Sequence, residues 1–159
     1  MFERRRIQAG GGGSVRLRLP PEERDLLRRL PAELRSLLDE SPEDPSLERL
    51  FPPAYDDAES EDEYRRLMRD ELLDGRRRAL DTLEETLDRD RLSPEQAQAW
   101  LTALNDLRLV LGTRLDVRED ELLERLDPAD PRAPALGLYA YLSWLQEQLV
   151  EALEADLPM

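Results

Sequence analysis

Asn105, Asp106 and Arg108 are the residues in this sequence best placed to do chemistry. They sit within an otherwise apolar stretch, SPEQAQAWLTALNDLRLVLGTRL, from Ser93 to Leu115. An amide, a carboxylate and a guanidinium within one helical turn can grip a polar ligand, or they can grip one another. Burying an unpaired charge costs several kcal/mol or more, so Arg108 must find partners or reach water. Gly112 follows one turn later. Glycine costs about 1 kcal/mol relative to alanine inside a helix, so its presence marks a close backbone approach. Two readings stand: a structural polar network that fixes the register of the helix, or a binding site. The first is the simpler, because buried polar groups are usually hydrogen-bonded within their own fold.

Other chemistry is largely excluded by composition. The chain has no cysteine and no histidine, and all 23 of its basic residues are arginine. Thiol catalysis, disulfides, Ser-His or Cys-His nucleophile pairs and zinc or haem ligation by the usual residues are therefore ruled out. So is lysine Schiff-base chemistry. The acid run Asp56, Asp57, Glu59, Glu61, Asp62 and Glu63 could attract a hard cation, but it lacks the glycine and the spacing of an EF-hand loop. A solvated loop leading into a helix start, where acids are favoured by the dipole, is the better reading. Gly10 to Gly13 separate two strands and open no helix, so they do not form a dinucleotide site. No catalytic residue, cofactor or metal is expected, and the chain reads as a non-enzyme.

The elements that position these residues follow from periodicity. Ser93 as N-cap, Pro94 at the first helical position and Gln96 three residues after the cap mark a helix start. Apolar residues then recur at 97, 100, 101, 104, 107, 111 and 115, a helical spacing. Ala103, Leu109 and Val110 widen that stripe, as expected of a central helix surrounded by protein. Residues 1–19 read as a β-hairpin: Val15, Leu17 and Leu19 alternate with Arg16 and Arg18, and the glycine run supplies the turn. A lone hairpin is marginal in water and needs a partner surface. Pro20 and Pro21 start a helix with a stripe at Leu26, Leu27, Leu30, Leu34, Leu37 and Leu38. Pro31 lies inside it and predicts a kink or a break into two helices.

Residues 41–59 read as a proline- and acid-rich loop anchored by Leu47, Leu50, Phe51 and Tyr55, with a short helical turn at 46–50. Ser60 and Glu63 form a capping box for a long helix to about Arg89, weakened at Gly75. Val117 to Leu126 predicts a short helix, Asp127 to Pro134 a turn, and about Ala135 to Ala155 the last helix. At 159 residues with 5% aromatics, the expectation is one domain over residues 1–159, with a leucine core. The fold class is mainly α: a bundle of five or six helices over 20–159 with the N-terminal β-hairpin over 1–19. No apolar run reaches the ~18 residues of a membrane span and no signal pattern opens the chain, so a cytoplasmic location is expected.

The run AWLTALNDLRLVLGTRL resembles the signature of the actinobacterial oxidative-stress transcriptional regulator (AosR) family, long grouped as a domain of unknown function. The resemblance extends to DPSLERLFPPAYDD (44–57), EYRRLM (63–68) and LYAYLSWLQEQLVEAL (138–153), and so covers nearly the whole chain. Its signature positions here are Trp100, Asn105, Asp106, Arg108, Gly112, Thr113 and Arg114. The resemblance implies a regulator that works with an alternative sigma factor and promotes a cysteine-biosynthesis operon. It also implies a point of departure, because redox sensing through a cysteine pair cannot occur in a chain without cysteine.

Charge bears on the partner. The formal net charge is −14. Residues 1–38 carry nine Arg and five acids, net +4; residues 39–74 carry four Arg and fourteen acids, net −10; residues 75–159 carry ten Arg and eighteen acids, net −8. Most of this surface repels phosphates, whereas duplex binding needs a basic footprint. The junction before 117–126 superficially suggests a helix-turn-helix, but its second helix would set Arg118 and Arg125 against four acids. Direct DNA binding is therefore not expected. A protein partner, such as a sigma factor or RNA polymerase, is. Arg16 and Arg18 should point away from the hairpin's apolar face and meet carboxylates of this chain or of a partner. The apolar residues between Leu136 and Leu145, Trp144 among them, surround their helix, which suggests a homodimer through that segment or a fully internal helix.

Overall fold

The computed structural model describes residues 5–40, 45–50, 58–115 and 131–155. The glycine run does what its spacing predicts. Strand β1 (Ile7–Gly11) turns into β2 (Ser14–Leu17) through Gly11, Gly12 and Gly13, all at positive φ, a region open to glycine without steric cost. The strands pair antiparallel with Ile7 opposite Leu17 and Ala9 opposite Val15. A third strand, β3 (Arg91–Leu92), pairs with β2 and places Leu92 opposite Val15. Sequence reading missed β3, since two residues cannot show an alternation. Ile7, Val15, Leu17, Leu19 and Leu92 are buried, whereas Arg16, Arg18 and Arg91 face out. The hairpin's partner surface is β3 on one side and the last helix on the other.

Helix α1 runs unbroken over Pro21–Glu40, with Pro31 inside it and buried. The expected break into two helices does not occur. Leu27, Pro31, Leu34 and Leu38 form one buried line that an interruption would put out of register. A seam of ion pairs also joins α1 to α2 (Ala58–Thr86): Arg28 with Asp88 just past its end, Arg35 with Asp81 and Glu84, and Arg77 with Asp39. The pairs with Asp88, Asp81 and Asp39 have an exposed acid and contribute ~0–1 kcal/mol each; Arg35–Glu84 is half-buried. The loop's helical turn is a 3₁₀ segment, Pro45–Leu50, that buries Leu47 and Leu50.

Helix α2 begins two residues before the expected cap and passes Gly75 without interruption. Beyond its last residue, Arg24 of α1 donates to the carbonyls of Leu87 (2.6 Å) and Arg89 (3.2 Å). A cation at a helix C-terminus both satisfies orphan carbonyls and opposes the dipole. Helix α3 (Pro94–Leu115) starts at a reciprocal box: Gln96 Oε1 accepts from Ser93 N at 2.9 Å, and Ser93 Oγ accepts from Gln96 N at 3.2 Å. Helix α4 (Ala133–Ala155) closes the fold. The described residues thus hold four α-helices rather than five or six; the short helix expected at 117–126 lies outside them. Helix α3 is central, packed against α4, α2 and the 3₁₀ segment.

Candidate functional site

The polar residues of α3 separate into three contacts, two with α2 and one with α4. Trp100 is fully buried, and its indole N–H donates to Thr86 Oγ1 at 2.7 Å. Thr86 in turn donates to the Thr82 carbonyl at 2.6 Å, so both groups of this α2–α3 contact are satisfied. One and a half turns later, Asp106 is 1% exposed and accepts from Arg76 Nη1. Arg76 Nη2 also donates to the Leu50 carbonyl at 2.8 Å. A single guanidinium thereby joins α2, α3 and the 3₁₀ segment. Burial pushes the Asp106 carboxyl above its ordinary range, while the charge and hydrogen bond of Arg76 pull it back.

On the side facing α4, Asn105 Oδ1 accepts from Arg108 Nη2 and from Gln146 Nε2, both at 3.2 Å. The Arg108 guanidinium lies 6.0 Å from the Tyr139 ring centroid, with Nη1 3.5 Å from the Tyr139 hydroxyl. Arg108 therefore finds the partners that its place in an apolar stripe demanded. Thr113 donates back to the Leu109 carbonyl at 2.9 Å, Gly112 is buried, and Arg114 is exposed. Of the signature residues, the fold brings together Asn105 with Arg108. It turns Trp100 and Asp106 toward α2 instead and leaves Arg114 on the surface. Among the described residues no group of three His, Cys, Asp or Glu could hold a metal ion, and no helix is long and apolar enough to cross a membrane.

A second polar cluster, missed in the sequence, fastens the hairpin. Arg6 grips Glu23 of α1 through Nε (3.0 and 3.1 Å) and Nη2 (3.0 Å). Tyr141 of α4 donates to the same carboxylate at 2.6 Å. Burial, and then the bond and charge of Glu23, push the Tyr141 phenol up, with Arg6 opposing. Gln148 Oε1 accepts the backbone N–H groups of Arg6 (2.7 Å) and Ile7 (3.1 Å). Half-buried Trp144 lies under Arg6, 5.3 Å from guanidinium carbon to ring centroid. On the face of α4 that pointed to a second copy, Trp144 thus also contacts this chain's own Arg6 and stays half-buried. Arg16 and Arg18 do face outward, but neither meets a carboxylate among the described residues.

These contacts are spread over the signature that the sequence carries. A family model described as a domain of unknown function, DUF2017, matches residues 4–153. The chain belongs to the DUF2017 family. Curated relatives are the oxidative stress regulator AosR of Mycobacterium tuberculosis and that of Mycobacterium bovis, each 31% identical over 186 aligned positions, covering 92% of this chain and 85% of the relative. A Mycobacterium leprae protein bearing the same AosR designation is 32% identical over 191 aligned positions, covering 95% of this chain and 88% of the relative. No solved structure matches. Within the DUF2017 match lie both polar clusters and every element described above except the last two residues of α4.

Proposed function

We propose that this protein is a non-enzymatic regulator of the oxidative-stress response that acts through protein–protein contacts with the transcription machinery. The observation that carries the reading is the match to relatives named oxidative stress regulators over 92% of this chain. The finer proposal is contact with a sigma factor or RNA polymerase and promotion of cysteine-biosynthesis genes. The polar residues of α3 support a structural role, since Trp100 and Asp106 bond to α2 and Arg108 reaches Tyr139 of α4. Net charge of −14 supports a protein partner over duplex DNA, and steers encounter toward a basic partner surface. Any signal reaches this chain without a cysteine of its own.

Two measurements test it. Pull-down with the full chain from the source organism, at low and moderate salt, should recover a polymerase or sigma subunit. Expression profiling of a deletion strain should show altered cysteine-biosynthesis transcripts under oxidant. Unchanged transcripts would favour a second reading, an adaptor module with no promoter role, which the missing cysteine already fits with fewer assumptions.

A further inference from the structure

The outer face of the three-stranded sheet concentrates like charge in an acidic protein. Arg16 of β2 stands directly opposite Arg91 of β3, and Arg18 follows on the same side of the chain. All three are exposed, while their neighbours Val15, Leu17 and Leu92 are buried beneath. Like charges placed directly opposite in a sheet are destabilising. Some arginines elsewhere do have acids beside them: Arg28 has Asp88, Arg35 has Asp81 and Arg5 has Glu151, each at 2.6 Å. Arg16, Arg18 and Arg91 have no ion pair among the described residues. The acid nearest in sequence, Asp90, is turned toward Arg24 at 3.5 Å.

We propose that this face docks a short acidic segment of a partner protein, its carboxylates seated between Arg16, Arg91 and Arg18. Cross-strand neighbours lie about 5 Å apart at Cβ, and alternate residues along a strand about 7 Å apart. Acids at alternate positions of an extended segment match the second spacing, and one carboxylate bridges the first. The guanidinium fork binds carboxylate in a bidentate way and relieves the Arg16–Arg91 repulsion at the same time. A nucleic-acid duplex fits less well: it needs a basic surface several phosphates wide, and this face is three arginines on a chain of net charge −14.

The proposal rests on the protein-contact reading above, but its test does not pass through transcription. The probe is a short fluorescent peptide of alternating Glu and Thr, titrated with the full chain and followed by anisotropy at low and moderate salt. Arg16→Glu/Arg91→Glu should weaken binding about tenfold or more. Arg16→Gln/Arg91→Gln should weaken it less, and circular dichroism should show both variants folded. Arg29→Glu/Arg114→Glu makes the same charge change at exposed arginines of α1 and α3 and should leave affinity within about twofold. Absence of peptide binding, equal losses in the two charge-reversed variants, or a duplex oligonucleotide that binds more tightly through the same arginines would each overturn it. Altered cysteine-biosynthesis transcripts in a deletion strain, beside a failed peptide titration, would leave the regulatory reading standing and remove this surface from it.

Discussion

Asp106 is 1% exposed, and its charge partner is Arg76, thirty residues earlier on a different helix. The asymmetry of the pair makes a prediction. Arg76 is 23% exposed at its side chain and can reach water, while Asp106 cannot. Removing the arginine leaves a buried carboxylate uncompensated, a loss of about 3–5 kcal/mol in comparable pairs. Arg76→Met should therefore be strongly destabilised at neutral pH. Burial already raises the folded-state pKa of Asp106 above 3.8, and losing Arg76 raises it further. A raised pKa contributes stability that is present at low pH and lost as pH rises through the folded value. The gap between variant and wild type should thus narrow as pH falls from neutral toward the unfolded carboxyl range. Urea unfolding of both proteins at neutral pH and at about pH 5 checks this; an unchanged gap would mean that Asp106 finds water once Arg76 is gone.

Gln148 holds the hairpin by an acceptor role that no other neutral side chain of its shape performs. Only its carboxamide oxygen can accept from the Arg6 and Ile7 N–H groups, so the orientation of the amide is fixed by chemistry. Ile7 is completely buried. Gln148→Leu should leave its N–H unsatisfied at a cost of about 1–3 kcal/mol. Amide hydrogen exchange should speed up in β1 and β2 more than in α2 and α3. Uniformly preserved hairpin protection would refute the assignment.

How far the sequence led is clearest at these two positions. The start of α3 was legible because a capping box is local: Ser93 and Gln96 are three residues apart and bond only each other's backbone. The outward turn of Arg16 and Arg18 was legible because strand side chains alternate. Gln148 and Glu23 were not, since their partners lie 142 and 17 residues away and no spacing rule links them. The break expected at Pro31 is absent from α1 because packing of Leu27, Leu34 and Leu38 on one face overrides the local propensity.

Gly13 joins the turn to the central helix. It sits at φ +85, and a Cβ built there would meet Pro94 Cγ at 3.2 Å. Gly13→Ala therefore combines a left-handed backbone strain of about 1–3 kcal/mol with crowding of the α3 start. Gly12, also at positive φ, has open space around it. Thermal melts should rank Gly13→Ala below Gly12→Ala, and equal midpoints would show that Pro94 yields to the added methyl without cost.

Trp144 distinguishes packing within one chain from packing between two. Its ring lies 5.3 Å from the Arg6 guanidinium carbon and 6.1 Å, centroid to centroid, from Tyr141. A cation over an aromatic face contributes about 0.5–2 kcal/mol depending on desolvation. Arg6 keeps its bonds to Glu23 when the ring is removed, so Trp144→Ala should shed the ring contacts without releasing the hairpin. The variant is expected to unfold at a lower temperature, by the same amount at every protein concentration. An intramolecular contact does not depend on mass action, whereas a contact with a second copy does. Trp100, fully buried against Thr86, survives in the variant as a reference for the intact core by its emission. A wild-type midpoint that climbs with concentration, and a variant midpoint that does not, would assign the cover over Trp144 to a second copy of the chain.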